Sequence, residues 1–187
     1  MTQLIKILES KQTVFRVSDI QKITKFSNMY SVRNFLNKAI KKNQLLSPYR
    51  GIFTKKKFNI YELATKLKIP SYVSLDTVLY THGVIFQSSQ EITLISNDSR
   101  TKKTKKNIFV YHKINDRILY DPLGIEYKNQ APLATPERAF CDIVYLNKRL
   151  IHIDAPEQLN LEKLKEISNI YNKSTQNFIS KFIEDVR

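Results

Sequence analysis

Five apolar residues between positions 32 and 40 do most to limit how this chain can fold. Val32, Phe35, Leu36, Ala39 and Ile40 fall at i, i+3, i+4, i+7 and i+8, one continuous stripe along a helix. The opposite face of that helix carries Tyr30, Ser31, Asn34, Asn37, Lys38 and Lys41, with Arg33 on its flank, and it holds no acid. Directly after the helix, two short apolar runs, Leu45-Leu46 and Ile52-Phe53, flank Pro48-Tyr49-Arg50-Gly51. Apolar runs around a Pro-x-x-Gly turn predict a β-hairpin.

Two shorter helices precede the stripe. Leu4, Ile5, Ile7 and Leu8 mark the first, and Ser18 is the expected N-cap of a second over 19–24, with Ile20 and Ile23 facing inward. A turn over 25–28 follows. Three helices and then a hairpin is the element order of a winged helix-turn-helix. The expected fold class is therefore α+β: a winged helix-turn-helix DNA-binding domain over 1–57, then a mixed α/β C-terminal domain over 58–187. The boundary is placed at Lys55-Lys56-Lys57.

Charge is concentrated in the same segment. The 187-residue chain has a formal net charge of +14, of which residues 1–58 supply +11, with 13 Lys and Arg against Glu9 and Asp19. Lysine, asparagine, isoleucine and tyrosine are abundant and there are only three glycines, the bias of an AT-rich genome. Such drift would spread positive charge along the whole chain, whereas a one-sided block is an electrostatic footprint for phosphate. Asn can pair bidentately with adenine, Arg with guanine, and Lys can neutralise phosphates. The expected DNA-binding set is Tyr30, Ser31, Arg33, Asn34, Asn37, Lys38 and Lys41 on the helix, with Arg50, Lys55 and Lys56 on and behind the hairpin. The expected partner is double-stranded DNA.

The rest of the chain alternates helical and strand-like patterns. Helices are expected over 59–67 and from Ser74, as N-cap, to His82, where Gly83 stops the second. Strands are expected over 92–95, 108–114, 117–120 and 125–128. The polar, lysine-rich stretch 97–107, with Arg100, Lys102, Lys103, Lys105 and Lys106, reads as an exposed loop. Thr135-Pro136 opens another helix, with Ala139, Phe140, Ile143 and Leu146 inward. Two helices close the chain, one with Leu161, Leu164, Ile167 and Tyr171, the other with Phe178, Ile179, Phe182, Ile183 and Val186. Arg138 and Asp142, at i and i+4, are expected to pair on a helix surface. His82 reads as a helix-end hydrogen bonder and Cys141 as a small core residue.

Several function classes find no support. No apolar run approaches the roughly 20 residues that cross a bilayer, and MTQLIKILES lacks the pattern of a signal peptide. A bacterial cytoplasmic protein without membrane contact is expected. The lone Cys141 offers no internal disulfide and no zinc cluster, and no P-loop or nucleophile elbow is present, so no cofactor and no metal are expected. One catalytic alternative stays open: Asp116 or Asp121 with Glu126-Tyr127-Lys128 matches the D…E-x-K spacing of metal-dependent nucleases. Short E-x-K matches arise easily in a lysine-rich chain, and no enzyme is expected. A free-standing winged-helix regulator is a second alternative. An RNA-binding factor is a third, although the aromatic sheet motif that stacks bases is missing.

Two further stretches carry a resemblance. Residues 71–84, Ser71-Tyr72-Val73-Ser74-Leu75-Asp76-Thr77-Val78-Leu79-Tyr80-Thr81-His82-Gly83-Val84, resemble the Tyr-Ile/Val-Ser-x-x-Ser/Thr-Ala-Leu-x-x-His-Gly-Leu segment of AbiEi-type antitoxins. Pro132-Leu133-Ala134-Thr135-Pro136-Glu137-Arg138-Ala139-Phe140-Cys141-Asp142-Ile143 resembles their Ala-Thr-Pro-Glu-Arg-Ala-Leu-x-Asp segment, and Arg50-Gly51-Ile52-Phe53 stands at their Arg-Gly-x-Tyr wing. Val78 replaces the family's alanine and Phe53 its commoner tyrosine. The resemblance spans residues 1–150 and implies a repressor of its own operon's promoter. It also implies the role of antitoxin in a type IV toxin–antitoxin system, antagonising a cognate nucleotidyltransferase-like toxin.

Overall fold

The computed structural model describes residues 3–148 and 151–186. The chain is α+β and divides into two compact units, Met1–Leu67 and Lys68–Arg187.

The first unit runs α1 (Gln3–Glu9), β1 (Val14–Arg16), α2 (Val17–Thr24), α3 (Met29–Lys41), β2 (Leu46–Tyr49), β3 (Ile52–Thr54) and α4 (Ile60–Leu67). The three strands form an antiparallel sheet in the order β1-β3-β2. Its core is Ile7, Phe15, Ile20, Val32, Leu36, Ala39, Leu45 and Phe53. The strand β1 has no counterpart in the sequence reading, because three residues are too few for alternation to register. The start of α2 also differs from expectation. The Arg16 N–H donates to the Asp19 carboxylate at 2.9 Å, so the helix opens at Val17 and Ser18 lies in its first turn. Lys25, at φ 56°, ends α2, and Asn28 opens α3 by accepting the Ser31 N–H at 2.9 Å.

The lysine run is not the end of this unit. Glu62 of α4 is buried and accepts the Thr13 N–H at 2.9 Å and the Thr13 hydroxyl at 2.6 Å. Lys66 lies 3.3 Å from Glu62 and 3.2 Å from Asp19, and its ammonium donates to the Val14 carbonyl. The Arg16 guanidinium in turn donates from Nε to the Lys66 carbonyl at 3.0 Å. These contacts clamp α4 to β1 and α2, so the compact unit extends to Leu67, past the boundary expected at residue 57.

The second unit contains β4 (Ser71–Val73), α5 (Asp76–Thr81), β5 (Glu91–Ser96), β6 (Arg100–Lys103), β7 (Ile108–Lys113) and α6 (Asp116–Leu119). It continues with β8 (Ile125–Lys128), β9 (Ala131–Ala134), α7 (Pro136–Asn147), α8 (Leu161–Ser168) and α9 (Lys173–Val186). Its mixed sheet has the order β6-β7-β5-β4-β9-β8. The pairs β4–β9 and β5–β7 are parallel, and the other neighbours antiparallel. Three expectations are corrected here. The stretch 97–107 is not a loop throughout, since β6 pairs with β7 and the Thr104 N–H closes the turn on the Asn107 carbonyl at 2.9 Å. Residues 117–120 form no strand; α6 starts on Asn115, whose side chain accepts the Arg117 N–H at 2.9 Å. Ser74 does not cap α5, because its hydroxyl donates to Asp142 at 2.7 Å. The start of α7 is as expected, with Thr135 accepting the Arg138 N–H at 3.3 Å and Pro136 in the first turn.

Arg138 and Asp142 are fully buried rather than on the surface of α7, 3.5 Å apart. Asp142 accepts the hydroxyls of Tyr72 at 3.1 Å and Tyr171 at 2.6 Å besides that of Ser74. Arg138 donates to the carbonyls of Leu123 and Ile118, each at 2.6 Å. Burial pushes the Tyr72 and Tyr171 hydroxyls well above their ordinary range, which keeps both as donors. Gly124 passes against this cluster at φ 75°, where a Cβ would come within 2.8 Å of the Arg138 Cβ. Cys141 beside it is buried, and burial raises its thiol well above the usual range, as suits an inert core residue.

Two stability outcomes follow. Glu62→Ala should cost about 3 kcal/mol, because it strands the Thr13 donors and leaves Lys66 without its buried partner; urea unfolding reads this directly. Burial holds the His112 imidazole below its ordinary range, against the weaker upward pull of Asp76 and Glu91. The unfolded chain therefore binds that proton more readily than the native one. Stability should fall as pH drops from about 6.5 toward the lowered native value, and His112→Asn should flatten that part of the profile.

Candidate nucleic-acid interface

The register of α3 sorts its residues as the stripe requires. Val32, Leu36 and Ala39 are buried, and Phe35 packs on Phe26 with ring centroids 5.7 Å apart. The other face is open. Tyr30, Arg33, Asn34, Asn37, Lys38 and Lys41 are exposed, Tyr30 by 75%, while Ser31 is half-buried in the first turn. These side chains are brought to one helix face, with Asn28 fixing where that helix begins.

The β2–β3 hairpin turns at Arg50 and Gly51, where φ is 76° and a glycine avoids the strain of a side chain. Arg50 is exposed at the tip, and Lys56 and Lys57 are exposed behind it. Lys55 is placed differently. Its ammonium donates to the Leu8 carbonyl at 2.9 Å and the Ser10 carbonyl at 2.6 Å, at the C-terminal end of α1. A cation there satisfies carbonyls that the helix leaves unpaired and suits the helix dipole. Lys55 is thus a structural cap, set apart from the open cations around it.

Net charge over residues 1–67 is +11, and the folded arrangement sharpens it. Of the three acids, Asp19 and Glu62 are turned toward Lys66, and Glu9 is the exposed one. Among the described residues of this unit, ten lysines and arginines are exposed. Lys11, Lys22, Lys25, Lys42 and Lys57 belong to that set and extend the expected one. Their signal in the sequence was the charge block itself, since none of them lies within α3.

The nuclease pattern assembles differently. Glu126 and Lys128 lie on one face of β8 and pair with each other, and that hydrogen bond holds the Glu126 carboxyl below its usual range. Asp121 accepts the Leu123 N–H at 2.9 Å, and Asp116 opens α6. Among the described residues, no three His, Cys, Asp or Glu side chains gather where they could hold a metal ion. The His82 Nδ1 lies 2.9 Å from the Val78 carbonyl at the end of α5. A cavity of about 480 Å³ in this unit is lined by Asp76, His112, His152 and Asp154 among apolar side chains. Asp154 is already engaged there, accepting the Phe86 N–H at 2.8 Å. Among the described residues, no helix is long and apolar enough to cross a membrane.

No protein-family model matches the chain, and no curated protein matches its sequence.

Two lysines of the run, Lys55 and Lys56, should separate in a stability assay. Lys55→Met is expected to cost about 1 kcal/mol through the lost α1 cap. Lys56→Ala should stay within about 0.5 kcal/mol of the parent; thermal or urea unfolding distinguishes them.

Proposed function

We propose that this chain is a duplex-DNA-binding transcriptional repressor that reads its site with α3. The observation that carries the reading is electrostatic. A helix face free of acids stands on a unit whose other carboxylates, Glu9 aside, are turned inward onto Lys66. The order α1-β1-α2-α3-β2-β3, with the sheet order β1-β3-β2, supports reading this unit as a winged helix. On that reading α3 is the recognition helix and the β2–β3 hairpin the wing.

The division of labour follows from side-chain chemistry. Asn34 and Asn37 offer the paired donor and acceptor that match adenine, and Arg33 the fork that matches guanine. Lys38 and Lys41, with Arg50 and Lys56 from the hairpin region, neutralise backbone phosphates and fix the register. Each neutralised phosphate releases a counterion, so affinity falls steeply with salt. A protein so bound over a promoter occludes polymerase. The resemblance to AbiEi-type antitoxins supports naming that promoter as the chain's own. It also supports a role as the antitoxin of a type IV system, antagonising a nucleotidyltransferase-like toxin.

Fluorescence anisotropy on the duplex immediately upstream of the gene tests this. With about five to eight phosphates neutralised, the log–log salt slope should lie near −0.9 per contact, a total of about −4.5 to −7. Asn34→Ala should narrow the gap between the native and scrambled duplexes, and Lys38→Ala should reduce the slope by about one contact. Unchanged binding in both variants would remove α3 as the reader.

A further inference from the structure

The six-stranded sheet of the second unit ends at β8, and among the described residues no strand lies beyond it. Inside, β8 pairs antiparallel with β9, with Tyr127 opposite Pro132. Proline has no N–H to give that ladder, and the Ile125 N–H is donated to the Pro122 carbonyl at 3.0 Å instead of to β9. Alternation along an antiparallel strand therefore turns the Tyr127 N–H and carbonyl to the open side. An open edge of this kind is a template for another strand.

The side chains decide which strand fits. Glu126 and Lys128 share one face of β8, and Ile125 and Tyr127 share the other. A lysine on an edge strand ordinarily repels a second copy. Here a glutamate stands two residues before it, and the edge is complementary to itself. An antiparallel copy centred on Tyr127 sets each Glu126 opposite Lys128 of the second copy, and the two tyrosines opposite one another. Opposite charges directly across an antiparallel pair are favourable. The other face supplies apolar cover. Tyr127 is 73% exposed and Tyr120 64%, and on the Ile125 side lies a groove of about 270 Å³ lined by Pro70, Leu119, Tyr120, Pro122 and Pro132.

We infer that β8 is an interface between two copies of this chain, joined through the Tyr127 backbone and two crossed Glu126–Lys128 contacts. The hairpin turn at Asn129 and Gln130, both at positive φ, limits the run to a few residues, so the dimer is concentration-dependent. The inference does not rest on the DNA-binding reading, because the association is measured without DNA.

Sedimentation velocity of the full chain over a concentration series tests it. The mean mass should rise from 22.0 kDa toward twice that value. Glu126→Lys alone and Lys128→Glu alone should each weaken association by about tenfold or more, since like charges then face each other. The double variant, Glu126→Lys with Lys128→Glu, restores complementarity and should return to within about threefold of the parent. These side chains are exposed, and circular dichroism of each variant is the control for folding. A parent chain that stays monomeric at about 0.5 mM, a range where even weak pairing registers, overturns the inference. So does a single variant that associates like the parent, or a double variant that fails to recover.

Discussion

The Lys66 ammonium lies 3.3 Å from Glu62 and 3.2 Å from Asp19 and donates to the Val14 carbonyl, which ties α4, α2 and β1 together at one point. A carboxylate buried as completely as Glu62 is tolerable only with such partners, and Thr13 supplies two more donors. The same arrangement has a second effect. By drawing Asp19 and Glu62 onto Lys66, it leaves Glu9 as the exposed acid of the unit. The cationic surface is a consequence of the fold as well as of composition.

Around that node, the cations divide by what their surroundings offer. Lys55 finds unpaired carbonyls at the end of α1 and is spent on them. The lysines and asparagines of α3 project from the face opposite the stripe and remain open to a ligand. Local capping sets their position: Asn28 fixes where α3 starts, and its buried stripe fixes its rotation about the axis. In the second unit the corresponding anchor is the Arg138–Asp142 pair, which holds α7 against β4 and the segment after α8 through Tyr72, Ser74 and Tyr171.

The α3 stripe, the hairpin after it and the Thr135-Pro136 start of α7 were legible because each is a local pattern. What the sequence hid depends on partners far along the chain. Arg138 and Asp142 look like a solvated i,i+4 pair until Tyr72 and Tyr171 arrive to bury them. Glu62 looks like a surface helix residue until Thr13 meets it, which is why the unit runs past the lysine run. The β6 strand reads as a loop because lysines suit an unprotected sheet edge and a loop equally well. Lys55 looks like its neighbours Lys56 and Lys57, and only the end of α1 distinguishes it.

DNA binding through α3 is tested most directly by mapping amide chemical-shift changes as the upstream duplex is titrated into the isotope-labelled full chain. Perturbations should cluster on Met29–Lys41 and on the Leu46–Tyr49 and Ile52–Thr54 hairpin. Their loss with rising salt should follow the loss of affinity. Shifts confined to residues after Leu67, or scattered with no focus on α3, would contradict it.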